Sequence, residues 1–197
     1  MKKTLIISAV VVSVVVALGF GVYYFSKQSD ENAPFGGAPE GSETQGNKYI
    51  GEDFTVEQIP GWTVGHVPGT LVSFHNYSEE HPDGSPAAKL NFKSYSAVSF
   101  SDTNSQTLEE IYEMNINQLV AMIPSTKAFD VKDETINGLP SKLAALELNQ
   151  QGVDYTILLA VYLAGDKYYV MSFNTTKEKW PEYKDQFYVS ARSFEIK

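Results

Sequence analysis

The chain has 197 residues, a net charge of -9 and no cysteine. With 43% hydrophobic residues, 12 tyrosines and 11 phenylalanines it can build a hydrophobic core, so disorder throughout is excluded. The lack of cysteine excludes disulfides, thiol catalysis, cysteine-ligated metals and lipid-modified cysteine, and the acidic balance argues against nucleic acid as a partner.

The first segment has the length and composition of a membrane anchor. From Thr4 to Phe25 the chain carries no charge and is rich in Val, Ile, Leu, Ala and Gly. A helix of this length measures about 33 Å, enough to cross a hydrocarbon core of about 30 Å. A cleaved signal peptide is the alternative, but its apolar region runs only about 7–15 residues before a small-residue cleavage site. We therefore predict a retained transmembrane helix over residues 4–25 that binds the lipid bilayer.

The residues that flank this segment predict its orientation. Lys2 and Lys3 precede it, whereas Asp30 and Glu31 follow soon after it. By the positive-inside rule the N-terminus is cytoplasmic and the rest of the chain is extracytoplasmic, on a single-pass protein of the cell membrane. Small residues recur at every fourth position of the segment, a spacing that permits close helix contact: Ala9, Ser13, Ala17 and Gly21. A weak homodimer through this stripe is one hypothesis; the ordinary composition of single-span anchors is the other.

Residues 26–48 have the composition of a disordered linker, because they are rich in Gly, Ser, Pro, Glu and Asn, with Phe35 as the one large apolar residue before Tyr49. At about 5–6 Å times the square root of the residue number, such a linker spans roughly 25 Å. We therefore expect the globular domain, residues 49–197, to work close to the membrane surface.

The globular domain begins with strand patterns. Pro68 and Gly69 predict a hairpin between strands over residues 62–67 and 71–75. Residues 76–86 form a polar loop, and the alternation of apolar and polar residues over 87–95 predicts a half-buried strand. Thr107 and Glu110 then form a capping box at the start of a helix that Pro124 ends.

A meander and a closing helix follow. Asn137-Gly138, Gln151-Gly152 and Gly165-Asp166 predict the turns that join four strands. Residues 155–163 are apolar at nearly every position, which indicates a central strand covered on both faces. Residues 177–192 carry aromatic residues on one helical side. The predicted fold class is α+β, a largely antiparallel sheet sandwiched between helices in an α/β/α arrangement, plus the transmembrane helix.

These elements resemble a known family in their order. The matching pieces are the Phe54, Val56, Ile59, Pro60 and Trp62 pattern, Thr107-Leu108-Glu109-Glu110, Asn137-Gly138-Leu139-Pro140, Asp166-Lys167-Tyr168-Tyr169, and the closing Ser193, Phe194 and Ile196. Together they are similar to the PsbP-like (DcrB-like) superfamily over about residues 49–197. The resemblance implies an antiparallel sheet between helices and members that act by binding, among them a photosystem II subunit, a Ran-binding protein and bacterial envelope proteins. A photosynthetic targeting signal and a lipobox cysteine are both absent from this chain.

The sequence carries no motif with a known catalytic mechanism: it has no P-loop, no GxGxxG after a strand, no GxSxG and no HExxH. Serine-based acyl transfer would need a serine beside a histidine with an orienting acid, and nothing in the spacing of Ser73, Ser78 and the three histidines predicts that arrangement. We therefore expect no enzyme and no required cofactor, and a hydrolytic enzyme remains the least favoured alternative.

The loop over residues 76–86 is the predicted functional surface. His75, Glu79, His81 and Asp83 are competent ligands for zinc or manganese, and the reported metal binding of some PsbP relatives adds to this hypothesis. A second hypothesis is protein contact through Glu79 and Glu80, since binding residues concentrate on loops. The simplest interpretation is a solvated acidic connector, because no standard ligand spacing is matched.

We therefore predict a membrane-tethered, extracytoplasmic, non-catalytic binding or scaffolding domain whose partner is an unidentified membrane-associated protein. A divalent-metal-binding extrinsic subunit of a membrane complex, as in photosystem II, is the alternative function.

Overall fold

The structure is a computed structural model that describes residues 42–65 and 67–197. Its strands are β1 (Glu43–Gln45), β2 (Lys48–Ile50), β3 (Phe54–Glu57), β4 (Thr63–Gly65), β5 (Val72–His75), β6 (Tyr95–Asp102), β7 (Lys127–Ile136), β8 (Leu139–Gln150), β9 (Val153–Ala164), β10 (Lys167–Thr176) and β11 (Glu195–Ile196). Its helices are α1 (Pro86–Lys89), α2 (Leu108–Met122) and α3 (Trp180–Arg192).

The main sheet has seven strands in the order β4-β5-β6-β10-β9-β8-β7, and every neighbouring pair is antiparallel. The predicted hairpin turns are confirmed: Asn137 and Gly138 have φ of 49° and 83°, and Gln151 and Gly152 have φ of 54° and 80°. These left-handed conformations suit Asn and Gly in two-residue hairpin loops. Strand β9 lies between β8 and β10 and is buried on both faces, as its apolar sequence predicts.

Helices cover both faces of this sheet. On one face, Ile111 and Leu119 of α2 pack with Leu146 and Ile157. On the other face, Phe187 of α3 and the residues around it pack with Leu158 and Phe173. The capping box that begins α2 is formed, because the Thr107 side chain accepts from the Glu110 amide at 3.3 Å while Glu110 accepts from the Thr107 amide at 2.8 Å. The described domain is therefore α+β and mostly antiparallel.

The structure contains a second sheet that the sequence patterns do not predict. It has four strands in the order β1-β2-β3-β11 and packs Tyr49, Phe54 and Phe194 into the same core as α3. The predicted linker over residues 26–48 is consequently too long at its C-terminal end. Residues 43–50 form a hairpin that turns at Gly46, with φ of 62°, and Tyr49 anchors this hairpin in the core at 2% exposure.

The predicted strand over residues 87–95 is wrong. Ser85 caps a short helix by accepting from the Ala88 amide at 3.1 Å, and Pro86 occupies the first turn of α1. Proline suits that position since its missing N–H would be unpaired there. The neighbouring strand is β6, which was not predicted because serines interrupt its apolar pattern, although it lies between β5 and β10.

The transmembrane helix over residues 4–25, the small-residue stripe and most of the linker lie outside the described residues. Within residues 42–65 and 67–197, no helix has the length and hydropathy needed to span a membrane.

Candidate functional site

The predicted functional loop leaves the sheet after β5 and returns to it at β6. Its backbone is tied to the strand that follows, because the Asn76 amide donates to the Ser94 carbonyl at 2.9 Å. The loop also reaches α3, since the Asn76 Nδ2 donates to the Tyr183 hydroxyl at 2.8 Å. It is therefore held between the main sheet and the start of α3.

Glu79 is the most buried charged group of this loop. Its side chain is 1% exposed, and its carboxylate accepts from the Ser94 amide at 2.5 Å and from the Ser94 hydroxyl at 2.9 Å. A buried carboxylate is tolerated only when donors compensate for its lost hydration, and here the amide and the hydroxyl of Ser94 do so.

His81 and Lys93 each place a side-chain nitrogen next to Glu79. The His81 Nε2 donates to the Phe92 carbonyl at 3.0 Å and lies 3.8 Å from Glu79 Oε2. The Lys93 ammonium donates to the Glu79 backbone carbonyl. Burial, followed in importance by the neighbouring Glu79 charge, raises the pKa of Tyr183 to about 12, so its hydroxyl keeps its proton at neutral pH. We call Glu79, His81, Lys93, Ser94 and Tyr183 the Glu79 cluster.

His75 lies at the end of β5 and makes its contacts outside the Glu79 cluster. Its ring stacks between Tyr77 and Tyr95, with centroid distances of 5.2 and 5.5 Å, and its Nε2 lies 2.8 Å from the Ser73 hydroxyl oxygen. Burial lowers the pKa of His75 to about 4. Ser73 and His75 have the spacing of a nucleophile and a base, but they are 0% and 2% exposed, so a substrate has no access to them as they stand.

The four proposed metal ligands are therefore not brought together. Glu79 and His81 are neighbours, whereas His75 lies in the ring stack and Asp83 is exposed in the loop. Among the described residues, no group of three or more His, Cys, Asp or Glu side chains is placed to hold a metal ion. The predicted set of His75, Glu79, His81 and Asp83 therefore does not converge on one point in the structure, and the Glu79 oxygens accept from the amide and the hydroxyl of Ser94.

The two residues of the predicted partner contact differ in their exposure. Glu80 is exposed, but Glu79 is 4% exposed and points into the cluster. A partner could meet Glu80 directly, whereas Glu79 could influence binding only by holding the loop in place.

Two clefts lie on either side of the Glu79 cluster. The His81 cleft has a volume of about 290 Å³ and runs between the loop, the β8–β9 turn and the start of the segment after β10; its lining includes His81, Asp154, Thr176 and Lys177. The Trp62 cleft has a volume of about 240 Å³ and runs between the β3–β4 turn, the loop and α3. It is lined by Ile59, Pro60, Gly61, Trp62, Asn76, Ser78, Glu182, Tyr183 and Gln186.

Sequence reasoning missed the α3 half of this site. Tyr183 lies on the aromatic side of the helix predicted over residues 177–192; its ring is buried, but its hydroxyl accepts from the Asn76 side chain. Trp62 is 8% exposed. No local signal links Glu79 to Tyr183, because their separation in sequence exceeds any motif and only the packing of α3 brings them together.

Comparison with known proteins bears on the fold. Neither a protein-family model nor a curated protein matches the sequence. Among solved structures, the cyanobacterial PsbP protein CyanoP from Synechocystis sp. PCC 6803 superposes with a TM-score of 0.57 and 15% identity, over 84% of this chain and 100% of that one. LpqN, a protein of Mycobacterium tuberculosis involved in cell envelope biogenesis, gives a TM-score of 0.56 and 10% identity, over 74% and 84%.

The Ran-binding protein Mog1p from Saccharomyces cerevisiae gives a TM-score of 0.49 and 16% identity, over 73% of this chain and 89% of that one. At such identities the likeness to CyanoP and LpqN concerns the fold alone. The described domain therefore has the PsbP-like fold.

Proposed function

We propose that this protein is a non-catalytic binding domain, held at the outer face of a membrane by residues 4–25, whose partner is a membrane-associated protein. The observation that supports this proposal best is that His75 and Glu79, two side chains capable of proton transfer, are held by contacts within the protein. His75 is packed between two tyrosine rings, and the Glu79 carboxylate accepts from the amide and the hydroxyl of Ser94. Groups held in this way stabilise a scaffold and are not poised to move protons or attack a substrate.

The anchoring half of the proposal depends on the N-terminal segment. Its uncharged length and the lysines before it support a retained helix with an outer domain. The test is extraction of membranes with sodium carbonate, followed by N-terminal sequencing of the membrane-bound chain. We expect the protein to stay in the membrane and to begin before Thr4. A mature chain that begins after Phe25 would contradict the anchor.

The binding half is tested by site-specific photocrosslinking in intact membranes. A photoreactive residue at Glu80, which is exposed beside the Glu79 cluster, should give a discrete adduct that mass spectrometry assigns to one membrane-associated protein. The matched control carries the same residue at Asn117, which is exposed on α2 across the sheet. We expect no adduct there. Adducts of equal yield from both positions, or from neither, would count against a specific partner at this loop.

A further inference from the structure

We propose that Asn137 is a site of spontaneous deamidation, and that conversion of its amide to a carboxylate opens a contact that closes the C-terminal end of the fold. The site is independent of the proposed function, since it lies on the turn between β7 and β8 and not on the loop over residues 76–86. Three features support it: the Asn137-Gly138 sequence, the exposure of this turn, and the hydrogen bonds of the Asn137 amide.

The sequence and the exposure of the turn favour this reaction. Asn137 is the only asparagine of the chain that glycine follows. Deamidation begins when the backbone nitrogen of the next residue attacks the side-chain carbonyl carbon, and a next residue without a Cβ hinders this attack least. Asn137 and Gly138 are both exposed. A Cβ built on Gly138 would meet no atom within 4 Å among the described residues beyond its two chain neighbours, so the turn has room to rearrange as the ring closes.

The hairpin ladder does not hold the attacking nitrogen. The last paired residues of β7 and β8 are Ile136 and Leu139, which flank the two-residue loop. In a hairpin of this kind the ladder hydrogen bonds join the flanking residues. The Gly138 N–H is therefore not engaged by the ladder, and its nitrogen can approach the Asn137 side chain.

The reaction consumes only water. The Gly138 nitrogen forms a bond to Asn137 Cγ, and the bond between Cγ and Nδ2 breaks. The Gly138 N–H proton leaves with the Nδ2 group, so one ammonia is released and a succinimide ring remains. Water then opens this ring at one of its two carbonyl carbons. Attack at Cγ gives aspartate and attack at the backbone carbonyl carbon gives isoaspartate, and either acid is ionised at neutral pH.

The Asn137 amide joins the β7–β8 turn to the C-terminal end of the fold. Its Nδ2 donates to the Phe194 carbonyl at 2.8 Å and to the Arg192 carbonyl at 3.3 Å, and we call these two bonds the Asn137 clasp. Arg192 is the last residue of α3, where carbonyls lack partners within the helix. Phe194 is fully buried and stacks on Tyr162 at a centroid distance of 4.3 Å. The clasp therefore fixes the chain where it passes from α3 to β11.

Deamidation reverses the polarity of the clasp. An NH₂ group donates hydrogen bonds, whereas a carboxylate only accepts them. The new carboxylate would face two carbonyl oxygens at the C-terminal end of α3, where the helix dipole disfavours an anion. The Arg192 guanidinium already pairs with the Glu134 carboxylate through two bonds of 2.8 and 2.7 Å. We therefore expect the clasp to open in the deamidated chain.

The first test measures the rate of conversion in the full-length protein, kept in detergent at mildly alkaline pH. Peptide mapping by mass spectrometry locates the mass gain of one dalton that accompanies deamidation. The matched control is Asn104, which is exposed, has a φ of 50° against 49° for Asn137, and precedes serine. We expect conversion severalfold faster at Asn137. A rate at Asn137 no higher than at Asn104, or conversion of Asn137 only in urea-unfolded protein, would overturn the proposal.

The second test measures the effect on the clasp. Asn137→Asp places the product carboxylate in the clasp and should lower the melting temperature by about 2–8 °C. Asn104→Asp adds the same charge at the control turn and should melt within about 2 °C of the wild-type protein. Amide hydrogen exchange over residues 193–197 should become faster in Asn137→Asp alone. An unchanged melting temperature in Asn137→Asp, or a lower one without faster exchange over residues 193–197, would refute the opening of the clasp.

Discussion

Replacing Glu79 by glutamine tests whether the buried carboxylate holds the loop. Glutamine has nearly the same shape but keeps one acceptor oxygen, so it cannot accept from both the Ser94 amide and the Ser94 hydroxyl as the carboxylate does. One of these two donors would lose its acceptor in a site where the side chain is 1% exposed. A buried donor left unpaired costs about 1–3 kcal/mol, and a hydrogen bond to a charged group contributes about 1.5–3 kcal/mol.

We therefore expect Glu79→Gln to lower the free energy of unfolding by about 2–3 kcal/mol. For a chain of this size, each kcal/mol shifts the melting temperature by about 2–4 °C, so the melting temperature should fall by about 4–12 °C. The measurement is thermal unfolding of the full-length protein in detergent, followed by tryptophan fluorescence. Trp62 borders the cluster through Tyr183, at a ring-centroid distance of 5.6 Å.

The control is Glu80→Gln, which makes the same chemical change at the adjacent exposed position. Exposed substitutions of this kind change stability by less than about 0.5 kcal/mol. If Glu79→Gln melted at the same temperature as the wild-type protein and Glu80→Gln, the Glu79 carboxylate would not be buried among these donors, and the description of the cluster would be refuted.

Three further outcomes are expected. Tyr162→Phe removes the buried hydroxyl that donates to the Ala191 carbonyl at 2.8 Å, so thermal unfolding should show a loss of about 1 kcal/mol; no loss would contradict that bond. Gly65→Ala places a methyl group 2.8 Å from both the His75 ring and the Tyr77 hydroxyl, and urea unfolding should show a loss of about 1–3 kcal/mol, whereas a neutral result would mean that the ring stack can shift. The pKa of His75 is about 4 in the folded protein, against 6.5 for an ordinary histidine, so the unfolded chain binds a proton at His75 more tightly than the folded protein does. The folded state is therefore most stable with respect to His75 above about pH 6.5 and loses this stability as the pH falls towards 4. His75→Gln should flatten the dependence of melting temperature on pH in that window, and an unchanged slope would exclude His75 as its source.

Local patterns in the sequence were sufficient for the elements whose signals are contained within a few residues. The capping box at Thr107 predicted the start of α2, because both of its hydrogen bonds join residues three apart. Asn137-Gly138 and Gly152 predicted their hairpins, since glycine and asparagine adopt left-handed backbone conformations more readily than other residues. The apolar run in β9 likewise predicted a central strand.

Local patterns failed where distant contacts decide the outcome. The alternation over residues 87–95 has the period of a strand, but the Ser85 cap and Pro86 begin a helix there and the chain enters the sheet only at Tyr95. The serine-rich β6 is nevertheless a central strand, because its backbone pairs with β5 on one side and with β10 on the other. Its Ser96 and Ser99 are buried.

The candidate site shows the same division. Sequence alone determined that residues 76–86 are a polar loop with acidic and imidazole side chains, since composition and turn residues are local properties. Only the tertiary structure decided that Glu79 turns inward while Glu80 faces solvent. The free energy of burying a carboxylate depends on the donors that Ser94 supplies, and no local pattern specifies a residue that the fold brings in from another part of the chain.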